Sequence, residues 1–330
     1  MKAFNQTDAA YEQRLRDLEV QSTEMGQIVT LPGTPATIDE WHAAIKQRQQ
    51  PSPRVVAKLQ QLWDEHDYQG LAHLLQFTPA KYSVVRQPVS VVTSHRPISR
   101  LLSAQIYELT PGTATHALIF LHGGGLVNGT AERNADWLQY LLTQLGSDWL
   151  IVNVDYPLIT QITLPTLLAE ITQVSAVVHQ WLPNVKLYLA GESSGAALAM
   201  QTEAANRSLI NGQVLIYPQW QFGGSTQPKH PLALPLLNDF NRMLNVQTAL
   251  INQQIAAPLS WQLDTTMPTL IIKAEHDVFN ADLATRITGQ QPQLQIAVFQ
   301  GLMHGFIDYF GVLPQAQVAA MLVSEWLQQQ

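Results

Sequence analysis

The chain has 330 residues, 46% hydrophobic and 13% charged, which is enough apolar side chain for one large core or two smaller ones. Against 25 Asp and Glu stand 18 Lys and Arg, a net charge of -7; with no basic run, this argues against nucleic acid or an anionic membrane surface as a partner. There is no cysteine, which excludes disulfides, thiolate metal sites and a cysteine nucleophile.

Residues 1–13 are polar and lack the apolar stretch of a signal peptide. No apolar run approaches the roughly 18 residues of a membrane span. The expectation is a cytoplasmic protein with no membrane partner.

Residues 1–80 read as helices. Ala9 to Val20 is charged and leucine-spaced, Thr37 to Glu40 fits a capping box, and the helix it opens carries Trp41 and Ile45. Ser52-Pro53 opens another helix, with Val56, Leu59, Leu62 and Trp63 at helical spacing. Gly70 is expected to break it, with a turn or two more over Leu71 to Leu75.

From Lys81 the period changes to that of strands. Ser83 to Thr93 and Ala104 to Leu109 alternate like antiparallel strands. Then strand and helix alternate as in a parallel sheet. Strands are expected at Ala117 to Leu121, Leu150 to Val154, Leu187 to Ala190, Gln213 to Tyr217, Thr269 to Lys273 and Leu294 to Phe299. Helices are expected at Ala131 to Leu145, Leu164 to Trp181, after Ser193, Ala281 to Thr288 and Gln315 to Gln328. Residues 219–262 interrupt the rhythm with a Gly- and Pro-rich stretch and a helix over Leu234 to Gln254.

Gly191-Glu192-Ser193-Ser194-Gly195 spells G-x-S-x-G between a buried strand and a small-residue helix. A serine there sits on a sharp strand-to-helix bend with its hydroxyl above the sheet, and a side chain at either glycine would strike the chain folding back. The motif alone is weak, because any strand-helix turn in a doubly wound fold has a similar composition.

A serine hydroxyl becomes a nucleophile only with a base, a group that orients the base, and donors for the oxyanion. After Ser193 the chain offers His230, His276 and His304. His304 follows the last expected strand, where ligand sites form in open α/β sheets. His230 lies in a Pro-flanked loop. The acid belongs after the preceding strand, in Glu275-His276-Asp277; Asp277 fits best, with Glu275 its competitor, and Asp282 suits the first turn of a helix. His122-Gly123-Gly124-Gly125 directly follows an expected strand, so its backbone N–H groups are open to substrate. A dinucleotide loop is the rival reading, but Asn128 stands where G-x-G-x-x-G requires glycine.

Together these segments resemble the hormone-sensitive-lipase-like carboxylesterases of bacteria. The order is His-Gly-Gly-Gly, Asp155-Tyr156-Pro157-Leu158, Gly-Glu-Ser-Ser-Gly, Leu215-Ile216-Tyr217-Pro218, His276-Asp277 and His304-Gly305-Phe306. The resemblance covers residues 104–328. It implies an α/β-hydrolase fold, a mostly parallel eight-stranded sheet flanked by helices, with a helical cap from residues 1–80 and 219–262 over a catalytic domain of residues 81–330. It implies a serine esterase acting on short acyl esters through Ser193, Asp277 and His304. The oxyanion hole would draw on Gly123, Gly124, Gly125 and Ser194, chiefly Gly124, Gly125 and Ser194, with His122 supporting the loop. Candidate cap residues are Trp41, Trp63, Trp220, Phe222, Leu234 and Leu237, each equally readable as core.

This chain departs from the family pattern at Glu192 and Ser194, where Asp and Ala are usual. It departs also at Pro157, in the place of an arginine, and at Val278-Phe279 after the acid. No metal or organic cofactor is required. The partner expected is a small-molecule ester. A hydrolase-fold receptor that binds without turnover, or an amidase or acyltransferase with the same three residues, is the alternative. The last strand, Leu294 to Phe299, is expected at the sheet edge, where it could pair with itself across a two-fold in a homodimer.

Overall fold

The computed structural model describes residues 20–23, 26–31, 52–76, 90–224, 239–263, 266–287, 292–311 and 313–330. Residues 9–19 of the expected helix Ala9 to Val20, the expected helix over Thr37 to Gln50 and residues 83–89 of the expected strand Ser83 to Thr93, together with Trp41, His230, Leu234 and Leu237, lie outside them.

The sheet is built from β1 (Val20–Thr23), β2 (Gly26–Leu31), β3 (Val92–Pro97), β4 (Ser103–Glu108), β5 (His116–Leu121), β6 (Trp149–Asp155), β7 (Lys186–Glu192), β8 (Ile210–Ile216), β11 (Thr269–Ala274) and β12 (Leu294–Phe299). Its order is β1-β2-β12-β11-β8-β7-β5-β6-β4-β3. The run from β2 to β6 is parallel, with β1 and β4 antiparallel to their neighbours. Seven of the strands, β4 to β8 with β11 and β12, fall where the sequence places them; the eighth, β3, runs Val92–Pro97 and so begins only at the end of the expected strand Ser83 to Thr93. The short β9 (Gln221–Phe222) and β10 (Leu259–Ser260) pair separately.

Strand β5 is apolar throughout because both of its faces are covered. Leu118 and Phe120 face α3 (Ala135–Leu145) and α9 (Pro314–Gln328). Ala117, Ile119 and Leu121 face α4 (Leu164–Ile171), α5 (Val174–Trp181) and α6 (Ser194–Asn206). Aligned register brings the carboxyl ends of the central strands to one rim. Leu121 pairs with Gly191, Gly191 with Leu215, and Ala274 with Phe299.

The structure corrects four expectations. Residues 20–23 and 26–31 are not helical but form a hairpin whose β2 pairs in parallel with β12. Strand β12 is therefore an interior strand, and the homodimer contact across a free Leu294 to Phe299 edge is lost. The helix over Leu164 to Trp181 is two, parted at Thr172 and Gln173; the Thr202 hydroxyl bonds to the Ile171 carbonyl, and the Asn206 amide to that of Thr172. Gly70 does not break a helix. The chain turns at His66, where φ is 55°, and Asp67 captures the Gly70 N–H at 2.8 Å inside the next helix.

That N-terminal pair is α1 (Pro53–Asp64), capped by Ser52, and α2 (Tyr68–Gln76). Helix α2 packs on α7 (Asp239–Asn252), so a segment from before the sheet meets a segment inserted within it. Helix α7 is fastened to the rim by a reciprocal amide pair: Gln219 donates to Gln247 at 2.8 Å and accepts from it at 3.1 Å, both side chains buried. Trp220 and Phe222 are fully buried beside Trp261, joining this layer to the body. Among the described residues no helix is long and apolar enough to cross a membrane.

Replacing Gln247 by leucine strands the buried Gln219 Oε1, while Nε2 keeps the Gln221 carbonyl at 3.2 Å. The expected loss is about 1–3 kcal/mol of unfolding free energy, read from urea denaturation.

Candidate functional site

Ser193 caps the first turn of α6 with φ 55° and ψ −120°, a backbone state a serine rarely adopts. Tight packing on both sides holds it there. A Cβ on Gly191 would stand 2.4 Å from the Gly195 carbonyl oxygen; one on Gly195 would stand 2.1 Å from that of Leu121. Both positions exclude side chains through contact with backbone, which cannot move aside. The Ser193 N–H donates to the Ile216 carbonyl at 2.9 Å, and its carbonyl accepts the Gln219 N–H at 3.1 Å.

The loops after β11 and β12 bring two side chains to this turn. His304 Nε2 lies 2.8 Å from Ser193 Oγ, and His304 Nδ1 lies 2.8 Å from Asp277 Oδ2. With the proton on Nδ1 donated to the carboxylate, Nε2 is the acceptor for the serine hydroxyl. Asp277 is held in turn by the Phe279 N–H, 2.9 Å from Oδ1. The rings of Phe279 and Tyr217 stand 5.2 and 4.7 Å from the imidazole. Glu275, the rival acid, accepts the Gly301 N–H at 2.7 Å and is committed elsewhere. His276 is largely exposed. Asp282 falls within α8 (Asn280–Arg286), in its first turn.

The glycine run lies across the amino end of α6. His122 is buried, stacked on Tyr156 at 4.0 Å and 3°, and its Nδ1 donates to the Gly123 carbonyl at 2.8 Å. Burial lowers the His122 pKa to about 4, so the ring is neutral. The Tyr156 hydroxyl donates to the His122 carbonyl at 2.5 Å. Met243 from α7 covers the run, its Cε 3.0 Å from where a Gly125 Cβ would stand. The Gly123 N–H donates to Glu192 Oε1 at 3.1 Å, which takes Gly123 out of the expected donor set. Among the described residues nothing engages the N–H groups of Gly124, Gly125 or Ser194.

Behind the serine lies a buried charge cluster that the sequence reading did not anticipate. Arg133 Nε lies 3.1 and 3.0 Å from the two carboxylate oxygens of Asp308, and its Nη2 donates to Oδ2. It stands 4.0 Å from Glu192 Oε1. The Tyr217 hydroxyl donates to Glu192 Oε2 at 2.6 Å. Burial, then the Asp308 carboxylate, push the Glu192 carboxyl above its ordinary range, against Arg133. Burial and Glu192 push the Tyr217 hydroxyl well up. Burial opposes the Arg133 charge, but Asp308 and then Glu192 outweigh it and the guanidinium stays protonated. Arg133 and Asp308 lie 175 residues apart, so no local spacing could have found the pair.

The chain matches the model of a family described as having the α/β hydrolase fold over residues 118–308. Over 133 residues it is 30% identical to human arylacetamide deacetylase-like 2, a match covering 36% of this chain and 33% of that protein; the matched part thus spans about a third of that relative. The structure is similar to an esterase of Pyrobaculum calidifontis, with a TM-score of 0.57 and 21% identity over 89% of this chain and 97% of that one. It is also similar to an esterase from the bacterial hormone-sensitive lipase family, with a TM-score of 0.64 and 16% identity over 90% and 99%.

The buried His122 ring makes a checkable contribution to stability. Its folded pKa lies near 4 and its ordinary value is 6.5, so between these the unfolded chain binds the extra proton. Stability from this group is therefore present above pH 6.5 and lost as pH falls toward 4, by about 3 kcal/mol in full. Glu192, with a raised carboxyl, acts in the opposite sense, losing stability as pH rises above the carboxylate range. The His122 part is read as the difference in urea unfolding free energy between wild type and His122→Asn from pH 4.5 to 7.5. The wild type is expected to fall more steeply toward acid.

Proposed function

The chain belongs to the α/β-hydrolase fold family, and from that premise we propose that it is a serine carboxylesterase for short-chain acyl esters. The observation that carries this reading is His304, hydrogen-bonded at 2.8 Å on one side to Asp277 and on the other to Ser193. In the proposed reaction Ser193 Oγ attacks the ester carbonyl carbon while His304 Nε2 takes its proton. Asp277 keeps the imidazole in the tautomer that accepts this proton and stabilises the imidazolium that results. The carbonyl oxygen becomes an oxyanion, for which the N–H groups of Gly124, Gly125 and Ser194 are the available donors, each worth roughly 3 kcal/mol. The amino end of α6 adds a favourable field.

As the tetrahedral intermediate collapses, the bond to the alcohol oxygen breaks and His304 returns the proton to the leaving alcohol. Water, deprotonated by the same imidazole, then attacks the acyl-enzyme and releases the acid. The preference for short acyl groups is supported by the cover over the site. Met243 of α7 lies on the glycine run, and Phe279 and Tyr217 flank the histidine. The helices from residues 52–76 and 239–252 form the described part of the proposed cap.

The test is hydrolysis of 4-nitrophenyl esters from acetate to decanoate by wild type and Ser193→Ala. The wild type is expected to prefer the short esters and to be labelled at Ser193 by a fluorophosphonate. Ser193→Ala is expected to lose kcat on the order of 10^6-fold. A wild type inert to every ester and to the probe would overturn the reading in favour of a non-hydrolytic binding protein.

A further inference from the structure

We propose that Glu192 is a positioning residue, a single buried carboxylate that sets the glycine run and the histidine loop at once; this rests on the esterase reading above. Glu192 ends β7 immediately before Ser193 and is 2% exposed. Its two oxygens serve two different walls of the site. Oε1 accepts the N–H of Gly123, the first glycine after β5. Oε2 accepts the hydroxyl of Tyr217, which follows β8 and whose ring stands 4.7 Å from His304.

The histidine side is tied in a second way. Asp308 lies in the short helical turn Phe306–Tyr309 that follows His304, and Arg133 grips it bidentately. The same guanidinium reaches to 4.0 Å from Glu192. Arg133, Asp308 and Tyr217 thus face the Glu192 carboxylate from three separate segments.

The need for such an anchor follows from the glycines. Three consecutive glycines give the backbone more freedom than any other tripeptide, so their N–H groups point at the oxyanion only if something outside the run fixes them. Glu192 fixes the N–H of the first, while the Gly124 carbonyl is held from the other side by the Val127 and Asn128 N–H groups at 3.3 and 2.9 Å. The length of the side chain matters. A Cβ on Gly123 would stand 2.9 Å from Glu192 Oε1, so the carboxylate is already in close contact with the loop. Aspartate, one methylene shorter, reaches one wall but not both. Glutamine keeps an acceptor for the Gly123 N–H but offers N–H to Tyr217 where an acceptor is required.

Glu192 touches no substrate atom in this scheme. Its loss acts on the transition state, where the oxyanion forms, and not on ground-state binding.

The experiment uses the full chain as wild type, Ser193→Ala, Glu192→Ala, Glu192→Gln and Tyr217→Phe. Each is assayed on 4-nitrophenyl butyrate, with active sites counted by fluorophosphonate titration and KM separated from kcat. A trifluoromethyl ketone reports affinity for the tetrahedral oxyanion. For Glu192→Ala the expected result is kcat per titrated site down about 100-fold with KM nearly unchanged, and ketone affinity down in parallel. Glu192→Gln, which keeps the acceptor for the Gly123 N–H and loses the one for the Tyr217 hydroxyl, is expected to fall about 10-fold in kcat per site, also with KM nearly unchanged. A merely structural role would lower the number of titrated sites and leave kcat per site intact; that result overturns the proposal. So does Glu192→Ala with wild-type kcat while Ser193→Ala is silent. If Glu192→Ala does not fold, Glu192→Gln and Tyr217→Phe decide: kcat and ketone affinity at the wild-type level in both overturn the proposal, and a fall in both without a change in KM sustains it. A wild type inert to ester and fluorophosphonate overturns the esterase reading and this proposal together, and so is distinguishable from either failure alone.

Discussion

The backbone bend at Ser193 is the constraint on which the rest of the structure depends. A serine at φ 55° costs on the order of 1–3 kcal/mol, and it persists only where its surroundings leave it no alternative. Here the surroundings are main chain packed on main chain. Gly191 lies against the Gly195 carbonyl, and Gly195 lies against the end of β5. The strain does not stop at one residue. Tyr217, at the end of the neighbouring β8, also has a positive φ, 34°, and is pinned by its N–H on the Ile272 carbonyl at 2.7 Å. Two adjacent parallel strands therefore end in strained residues, and those ends carry the side chains that converge. The register of β5, β7, β8, β11 and β12 makes the convergence possible, because it places the last residue of each strand on one rim.

Beneath that rim the charges are arranged in a way that resists simple accounting. Two buried carboxylates, Asp308 and Glu192, share one partly buried guanidinium. Burying such a cluster costs several kcal/mol per ion before pairing offsets it, so stability alone is a poor reason for it. What it supplies is geometry. Each charged group belongs to a different segment, and each hydrogen bond forms only when two segments are correctly placed. Removing one partner would leave the others buried and uncompensated, which makes alternative loop arrangements expensive. The neutral His122 ring, stacked on Tyr156 and bonded to the Gly123 carbonyl, does the same for the glycine run without charge.

The sequence made local chemistry legible and left distant chemistry hidden. The strand-turn-helix at Ser193 and the glycine run after β5 could be read because each is a contiguous segment whose residue types answer a local steric demand. Asp277 and His304 could be read because strand ends are predictable from apolar runs, and side chains just past them share a rim. The hairpin at residues 20–31 was missed although Ile28-Val29-Thr30 is a β-branched run that favours a strand, and Pro32 is a stop signal. The helical period on either side of it masked a six-residue signal. Arg133 and Asp308 carried no signal, since neither residue is unusual in its own segment. The reassignment of Gly123 required knowing that the Glu192 side chain reaches from β7 to the segment after the neighbouring β5, and no spacing rule encodes that.

The manner in which α7 is attached bears on how substrate reaches the serine. Its Gln247 forms a doubly hydrogen-bonded amide pair with Gln219, and the Gln219 N–H in turn holds the Ser193 carbonyl. Met243, one turn earlier on the same helix, lies on the glycine run. Lifting α7 would expose two buried amides and uncover the run, at a cost of about 1–3 kcal/mol for each polar group left unpaired. A cover joined to the strained turn in this way is part of the site's rigid frame. A swing of α7 would part Gln247 from the Gln219 whose backbone N–H holds the Ser193 carbonyl, so on the proposed esterase reading substrate enters without such a swing.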